Sequence, residues 1–339
     1  KINQHSSEKL EQITFPQIFL RSTGELEATS KMEYIGGFED MISEIVPTYD
    51  YEKLLDVAYT ATKNLNKVID INYYPTKETK KSNMKHRPIG LGIQGLADTL
   101  VHMRIPFDSE EALELNSKIM ETIYFASMKA SNDISKERSE PMKKLISWFK
   151  TNHYPEYYES SVKFEDSEIN NLYHKLKPNL FELNREAKDW AGSYSTFEGS
   201  PVSKGIFQFD MWGLDNSDLT FDWKSLKQNV KKYGVRNSLL VALMPTASTS
   251  QILGNNECFE FFTSNIYTRN TLAGDFPIIN RHMVNDLISI DMWNPELKDF
   301  VIAGNGSIQH IKNLPSVIRR LYQTQWELKQ IWVLKAAKA

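Results

Sequence analysis

The sequence predicts an α/β fold built around a parallel sheet or barrel, on three observations. Residues 238–244, Ser-Leu-Leu-Val-Ala-Leu-Met, form a nearly continuous apolar run between turn signals. Such a run is the pattern of a strand buried on both faces. A loop rich in hydroxyls follows it directly, and α/β folds place ligands on loops leaving the C-terminal ends of parallel strands. Several other segments repeat apolar residues at helical spacing.

In chain order, residues 1–48 show no strong period and are punctuated by Gly36-Gly37 and Pro47. From Tyr51 the pattern is helical, with Leu54, Leu55, Val57 and Ala58 followed by Ala61 and Leu65. Residues 71–88 read as a loop, and the basic run from Lys77 to Arg87 reads as solvated surface. Residues 89–104 are apolar with interspersed glycine. Asp108 then has the character of a helix N-cap, with Glu111 completing a capping box. The helix it starts carries Ile119, Ile123, Ala126 and Ala130 on one face and is expected to end near Lys136. Residues 139–191 are rich in Tyr, Lys, Glu, Ser and Asn, with short amphipathic pieces such as Leu145 to Phe149, and read as an inserted surface subdomain. Order returns at Phe197 to Pro201. From Ser316 a last helix is expected to place Leu321, Leu328 and Trp332 on one side.

Composition narrows the function. The chain has 339 residues, with 40 Lys and Arg against 43 Asp and Glu, a net charge of -3. That balance gives no electrostatic reason to expect nucleic acid or an anionic membrane as partner. No window approaches the ~18 apolar residues that span a bilayer. The polar start, Lys1 to His5, is no signal peptide, so the expected compartment is the cytoplasm. Both ends read as cuts through a longer protein. One cysteine, Cys258, cannot close an intramolecular disulfide or form a CxxC pair.

The most informative stretch is Pro245-Thr246-Ala247-Ser248-Thr249-Ser250-Gln251. Its hydroxyls can donate to anionic oxygens, and its small side chains let backbone N–H groups approach a phosphate. A Ser/Thr helix cap accounts for the same residues, and the two readings can coexist. Gly90-Leu91-Gly92-Ile93-Gln94-Gly95 satisfies GxGxxG literally. It lacks the preceding strand that a dinucleotide site needs, so its glycines read as sites of close backbone packing. The seven histidines show no metal-ligand spacing, so metal binding is not expected. Cys258 reads as a small buried hydrophobe, with a reactive thiol as the alternative because it lies just after the hydroxyl loop.

Several stretches together resemble one family. They are Asn64 to Pro75, His86 to Asp98, Glu198 to Gly205, Asp210-Met211-Trp212, Tyr233 to Ser238, the hydroxyl loop through Asn256-Glu257, Thr263 to Arg269 and Asn305 to Gln309. In these the chain resembles the large, catalytic subunit of class I ribonucleoside-diphosphate reductase, from about Tyr49 to Ala339 apart from 139–191. The resemblance implies a ten-stranded α/β barrel of two five-stranded halves. This chain would supply most of the second half-barrel and its helices, as a first part over 49–138 and a second over 192–339, with residues 1–48 unmatched. It implies that Thr246, Ala247, Ser248 and Thr249 hold the substrate's diphosphate.

The implied reaction replaces the ribose 2′-hydroxyl by hydrogen. A thiyl radical opens it, and a cysteine pair supplies two electrons. No cofactor is implied in this segment. The family draws its radical from a metal-bearing small subunit, its electrons from thioredoxin or glutaredoxin, and its regulation from ATP and deoxynucleotide effectors. The implied partners are a ribonucleoside diphosphate, the small subunit and the missing half of the barrel, with no direct nucleic acid and no membrane.

The sequence also departs from the family. Asn256-Glu257-Cys258-Phe259-Glu260 has the spacing of the radical-cysteine loop but falls after the diphosphate loop, so it reads as coincidence. The reducing cysteines are missing, and Gly304 stands where relatives often carry cysteine. No catalytic residue is therefore assigned. The isolated chain is expected to be inactive, and a half-barrel is expected to leave open edges and a bare apolar face. The alternative is a non-catalytic paralogue or split half that binds reductase subunits or nucleotide. A Rossmann dehydrogenase rests on the GxGxxG alone.

Overall fold

The computed structural model describes residues 48–152, 164–214, 219–272 and 274–338, and the backbone of 17–21 and 32–37. Two short strands, β1 (Gln17–Arg21) and β2 (Met32–Gly37), pair antiparallel, with an irregularity between Ile18 and Phe19. They lie in the region where the sequence shows no period.

Helix α1 (Tyr51–Ile71) starts where Asp50 accepts the Lys53 N–H at 2.9 Å. It buries Ala58, Thr62, Asn66 and Ile69, one face of a helix. Helix α2 (Lys77–His86) corrects the expected loop over 71–88. Thr76 and Thr79 form a capping box there, and no residue of the helix is buried. With no buried face, it left no apolar period to read. Helix α3 (Leu96–His102) leaves Gly95, whose φ of 78° favours glycine.

Helix α4 (Glu110–Thr151) has 42 residues and corrects two expectations. Its first turn is capped by Ser109, whose Oγ accepts the Ala112 N–H at 3.2 Å, and not by Asp108. It also runs well past Lys136. The apolar face of Ile119, Ile123, Ala126 and Ala130, all buried as expected, resumes at Met142, Leu145 and Ile146. Between these stretches the buried positions are polar: Ser131, Asn132, Ser135 and Ser139. Asn132 Nδ2 donates to the Gly234 carbonyl at 2.7 Å and Ser135 Oγ to the Tyr233 carbonyl at 2.6 Å. Polar residues satisfied in this way hide a helical period from a hydrophobicity reading.

Helices α5 (Ser167–Leu176), α6 (Leu180–Leu183), α7 (Gln208–Met211) and α8 (Trp223–Tyr233) follow. The run 238–244 is not the doubly buried strand expected. It makes one parallel bridge, Leu91 to Val241. Around it Ile89 N–H donates to the Leu239 carbonyl at 3.1 Å, Leu91 N–H to that of Leu240 at 2.8 Å, and Ala242 N–H to that of Leu91 at 3.0 Å. Leu240 is buried, but Leu239, Leu243 and Met244 are 63%, 46% and 42% exposed. Among the described residues the run pairs with this one stretch, Ser238 N–H also donating to the His86 carbonyl at 3.1 Å, and its outer side chains meet solvent. The glycines beside it are needed for close packing: a Cβ at Gly92 would collide with the Ala242 carbonyl oxygen.

Then come α9 (Thr249–Leu253), the antiparallel pair β3 (Ile266–Thr271) and β4 (Gly274–Ile279), α10 (Arg281–Ser289) and α11 (Pro295–Ala303). The single final helix is in fact two, α12 (Ser316–Leu321) and α13 (Ile331–Lys338). Between them Thr324 Oγ1 donates to Glu327 Oε2 at 2.9 Å. Leu321 and Leu328 are nonetheless both buried. No helix among the described residues is long and apolar enough to cross a membrane.

The chain divides into two compact units. One comprises Asp50–Ile93 and Ser117–Met244. It has two apolar clusters, one around Phe197, Phe207, Trp223 and Val230, the other around Met142, Leu145, Ile146 and Ile169. The second cluster belongs largely to residues 139–191, so that stretch has a core of its own. The other unit comprises Lys1–Tyr49, Gln94–Asn116 and Pro245–Ala339, with a cluster around Met283, Leu287, Val301, Ile308 and Ile318.

Candidate anion-binding site

The hydroxyl loop lies in the second of these units. Thr246 turns the chain with φ 56°, a left-handed conformation uncommon for threonine. Two bonds hold it there. Its Oγ1 accepts the Cys258 N–H at 2.8 Å, and its carbonyl accepts the Ser250 N–H at 2.9 Å. Thr246 is thus half-buried and occupied, whereas Ala247, Ser248 and Thr249 are exposed. Ser248 occupies the N-cap position of α9, yet its side chain makes no capping bond. The cap reading therefore does not account for its hydroxyl. Ser250 is buried, and its Oγ has no hydrogen-bond partner among the described residues. The turn after α9 is closed by Gly254 at φ 73°.

Residues 94–98 brace the loop. Gln94 Oε1 accepts the Thr249 hydroxyl at 2.8 Å, and its Nε2 donates to Asn255 Oδ1 at 3.1 Å. Gly95 N–H donates to the Asn256 carbonyl at 3.0 Å. Asp98 Oδ2 accepts the Asn256 N–H at 2.6 Å, and its Oδ1 pairs with His282 Nε2 at 2.9 Å. Burial pushes the Asp98 carboxyl up, but its hydrogen bonds from His282 and Asn256 outweigh that and hold it below the usual carboxylate range. His102 packs edge-on against His282 at 4.6 Å, and burial lowers its pKa. Sequence reasoning missed Gln94, Asp98 and Asn255. Gln94 lies inside the stretch read for its glycines, and its distance of 155 positions from Thr249 left no local signal.

Cys258 is 4% exposed, at φ 45°. Burial pushes its thiol up, which disfavours the thiolate needed for nucleophilic work. This agrees with its reading as a small buried hydrophobe. Among the described residues no group of three or more His, Cys, Asp or Glu could hold a metal ion. Two cations of the same unit are already engaged: Arg281 donates to the Gly254 carbonyl at 3.0 Å, and Arg269 pairs with Glu257 at 3.4 Å. What the loop offers is a neutral set of hydroxyls and backbone N–H groups, able to hold a polyanion by hydrogen bonds alone.

Motif residues of the first unit are arranged differently. Arg87, 1% exposed and at φ 50°, donates to the Asn66 side chain and carbonyl and to both carboxylate oxygens of Asp70, at 2.7 to 3.1 Å. Asn237 Nδ2 donates to the Arg87 carbonyl at 3.0 Å, and its Oδ1 accepts the Ser131 hydroxyl at 3.0 Å. Arg236 and Glu182 form a fully buried ion pair, with Arg138 3.5 Å from the same carboxylate. Burial would raise Glu182, but Arg236 and Arg138 bring it down to about 2. Burial and the neighbouring Arg138 lower Arg236 to about 9, so both partners are charged at neutral pH. Arg87, Asn237, Glu182 and Arg236 all find partners inside the protein, while the buried Nε of Arg138 has none among the described residues.

A family model described as ribonucleotide reductase, barrel domain, matches residues 38–339, starting upstream of Tyr49. The chain is 46% identical over 289 residues to the ribonucleoside-diphosphate reductase large subunit of Caenorhabditis elegans, covering 85% of this chain and 30% of that protein. It is 44% identical over 290 residues to the large chain of Neurospora crassa, covering 86% and 25%, and 44% identical over 289 residues to the large subunit of Arabidopsis thaliana, covering 85% and 29%. The chain thus spans between a quarter and a third of the length of these curated relatives.

Proposed function

Because the chain belongs to the ribonucleotide reductase barrel-domain family, we propose that it is the part of a ribonucleoside-diphosphate reductase large subunit that holds the substrate's diphosphate. Thr246, Ala247, Ser248 and Thr249 would carry this role. The observation that supports it is the loop itself, braced from behind at Thr246 and Thr249 while Ala247, Ser248 and Thr249 face outward. Its neutral donors suit a diphosphate, which needs several hydrogen bonds and no lysine.

The reading extends to partners. The exposed Leu239, Leu243 and Met244 would be covered by the rest of the barrel, and their exposure supports that partner. The small subunit would supply the radical from its metal site, and thioredoxin or glutaredoxin the electrons. ATP and deoxynucleotides would act on other parts of the large subunit. Thiol chemistry of this kind belongs in the reducing cytoplasm. Residues 139–191 would be an insertion in the barrel domain.

Turnover needs a radical thiol and a reducing pair, and this chain has one cysteine, buried and without the character of a nucleophile. We expect no dithiothreitol-dependent reduction of CDP by the chain alone, read as deoxycytidine nucleotide on chromatography. Binding of CDP, read by calorimetry, is expected to weaken about tenfold in Ser248→Ala/Thr249→Val, from the loss of hydrogen bonds to a charged group. Reduction by the chain alone would overturn the assignment of no catalytic residue. Binding indifferent to the loop would overturn the assignment of the site. The single buried cysteine equally favours a non-catalytic paralogue that keeps the loop. Supplying the remaining parts of a relative's large subunit, with its small subunit, separates the two, because only a competent segment restores CDP reduction.

A further inference from the structure

Thr249 has one proton to donate. Its hydroxyl directs that proton to Gln94 Oε1 at 2.8 Å, with the Thr246 carbonyl a longer alternative at 3.3 Å. A hydroxyl committed in this way presents only lone pairs outward, and lone pairs repel a phosphate oxygen. The arrangement around Thr249 is therefore poised against the ligand that the loop is read to hold.

The bracing amides offer a way out. Gln94 Nε2 donates to Asn255 Oδ1 at 3.1 Å. Asn255 Nδ2 makes no hydrogen bond among the described residues, so nothing is lost there if the amide turns. Rotating both amides by half a turn exchanges donors and acceptors at the same positions. Asn255 Nδ2 then donates to Gln94 Oε1, and Gln94 Nε2 donates to Thr249 Oγ1. The bonds are equal in number, but the Thr249 proton is now free. Gly95 leaves the space for this: a Cβ there would lie 3.2 Å from Asn255 Nδ2 and 3.3 Å from Asn255 Cγ.

We propose that Gln94 is a positioning residue for the hydroxyl loop, its side-chain amide turning over together with that of Asn255 when a diphosphate binds, so that Thr249 becomes a donor to the anion. This rests on the reading of Thr246 to Thr249 as the diphosphate loop. The coupled turn makes the site selective. A ligand offering only acceptors draws out the donor form, whereas a ligand offering donors finds the resting form already in place.

The test uses the full chain and sodium pyrophosphate as probe, with calorimetry for affinity and the ¹⁵N-labelled glutamine side-chain amides followed by NMR. On saturation the Gln94 NH₂ signals are expected to move in the wild type and to stay still in Thr249→Val. Gln94→Met is expected to weaken binding about threefold beside Thr249 and to have no effect beside Val in its place, the non-additivity of a pair that acts as a unit. Thr249→Ser, which keeps the hydroxyl, should restore both the affinity and the amide response. Equal effects of Gln94→Met in both backgrounds, or a stationary Gln94 amide at saturation, would overturn the proposal while leaving the loop as the site. If pyrophosphate binds with affinity indifferent to Ser248→Ala/Thr249→Val, or does not bind, the site reading falls and this proposal with it.

Discussion

Arg87 and Arg236, each at the centre of a buried node, and the exposed loop from Thr246 to Thr249 all come from stretches that carry the family resemblance, yet they are built on opposite terms. In the nodes the side chains of Arg87, Asn237 and Arg236 are engaged by partners from the chain itself. Arg87 spends its guanidinium on Asn66 and Asp70, and Arg236 spends its own on Glu182. In the loop the protein's own bonds run to Thr246 and, through Gln94, to Thr249, while Ser248 makes no capping bond. A motif residue satisfied within the fold is explained by the fold. A motif residue left facing solvent, held in place from behind, calls for a ligand.

The comparison can be broken most forcefully at Glu182. Glu182→Gln leaves Arg236 buried without a countercharge, and the loss of stability is expected to be about 3–5 kcal/mol, measured by denaturant unfolding. A loss under about 1 kcal/mol would mean that the pair is as dispensable as a surface contact.

A smaller effect sharpens the same contrast through pH. Glu182 sits at about 2 in the fold against an ordinary 4.5, so its contribution is present above about pH 4.5 and is lost as pH falls toward 2. The loss amounts to roughly 3 kcal/mol by linkage, and it should be missing from the acid limb of Glu182→Gln. An acid limb unchanged by the substitution would assign the sensitivity elsewhere.

The smallest expected change is in the loop. Ser248→Ala/Thr249→Val should alter stability by no more than about 1 kcal/mol, the worth of the one exposed Thr249–Gln94 hydrogen bond it removes. Its effect belongs to anion binding. Marked unfolding in this variant would place the loop with the buried nodes and erase the distinction.

Much of this was legible in the sequence, and the failures have physical causes. The helix from Tyr51 and the buried face of Ile119, Ile123, Ala126 and Ala130 were readable because apolar side chains recur at the helical period. The glycine-rich stretch was rightly read as close packing, since Gly92 has no room for a Cβ against Ala242. Helix α2 escaped because it buries nothing. The continuation of α4 past Lys136 escaped because serines and an asparagine occupy the buried face of its middle, before the apolar face resumes at Met142. The apolar run 238–244 misled because hydrophobicity reports what a segment could bury, and here three of its side chains remain uncovered. The hydroxyls of the loop were visible in the sequence. The amides that aim them were not, because a contact between Gln94 and Thr249 has no local signature.

Cys258 offers a use unconnected with catalysis. It is the chain's only thiol, buried, and shifted away from the thiolate. A colorimetric disulfide reagent should leave it untouched until its surroundings open. The labelling rate then reads the free energy of local opening directly, without an engineered probe and without background from a second site. Because its N–H is bonded to Thr246, the clock sits at the hinge of the hydroxyl loop. Any ligand that steadies the loop should slow it in proportion to occupancy.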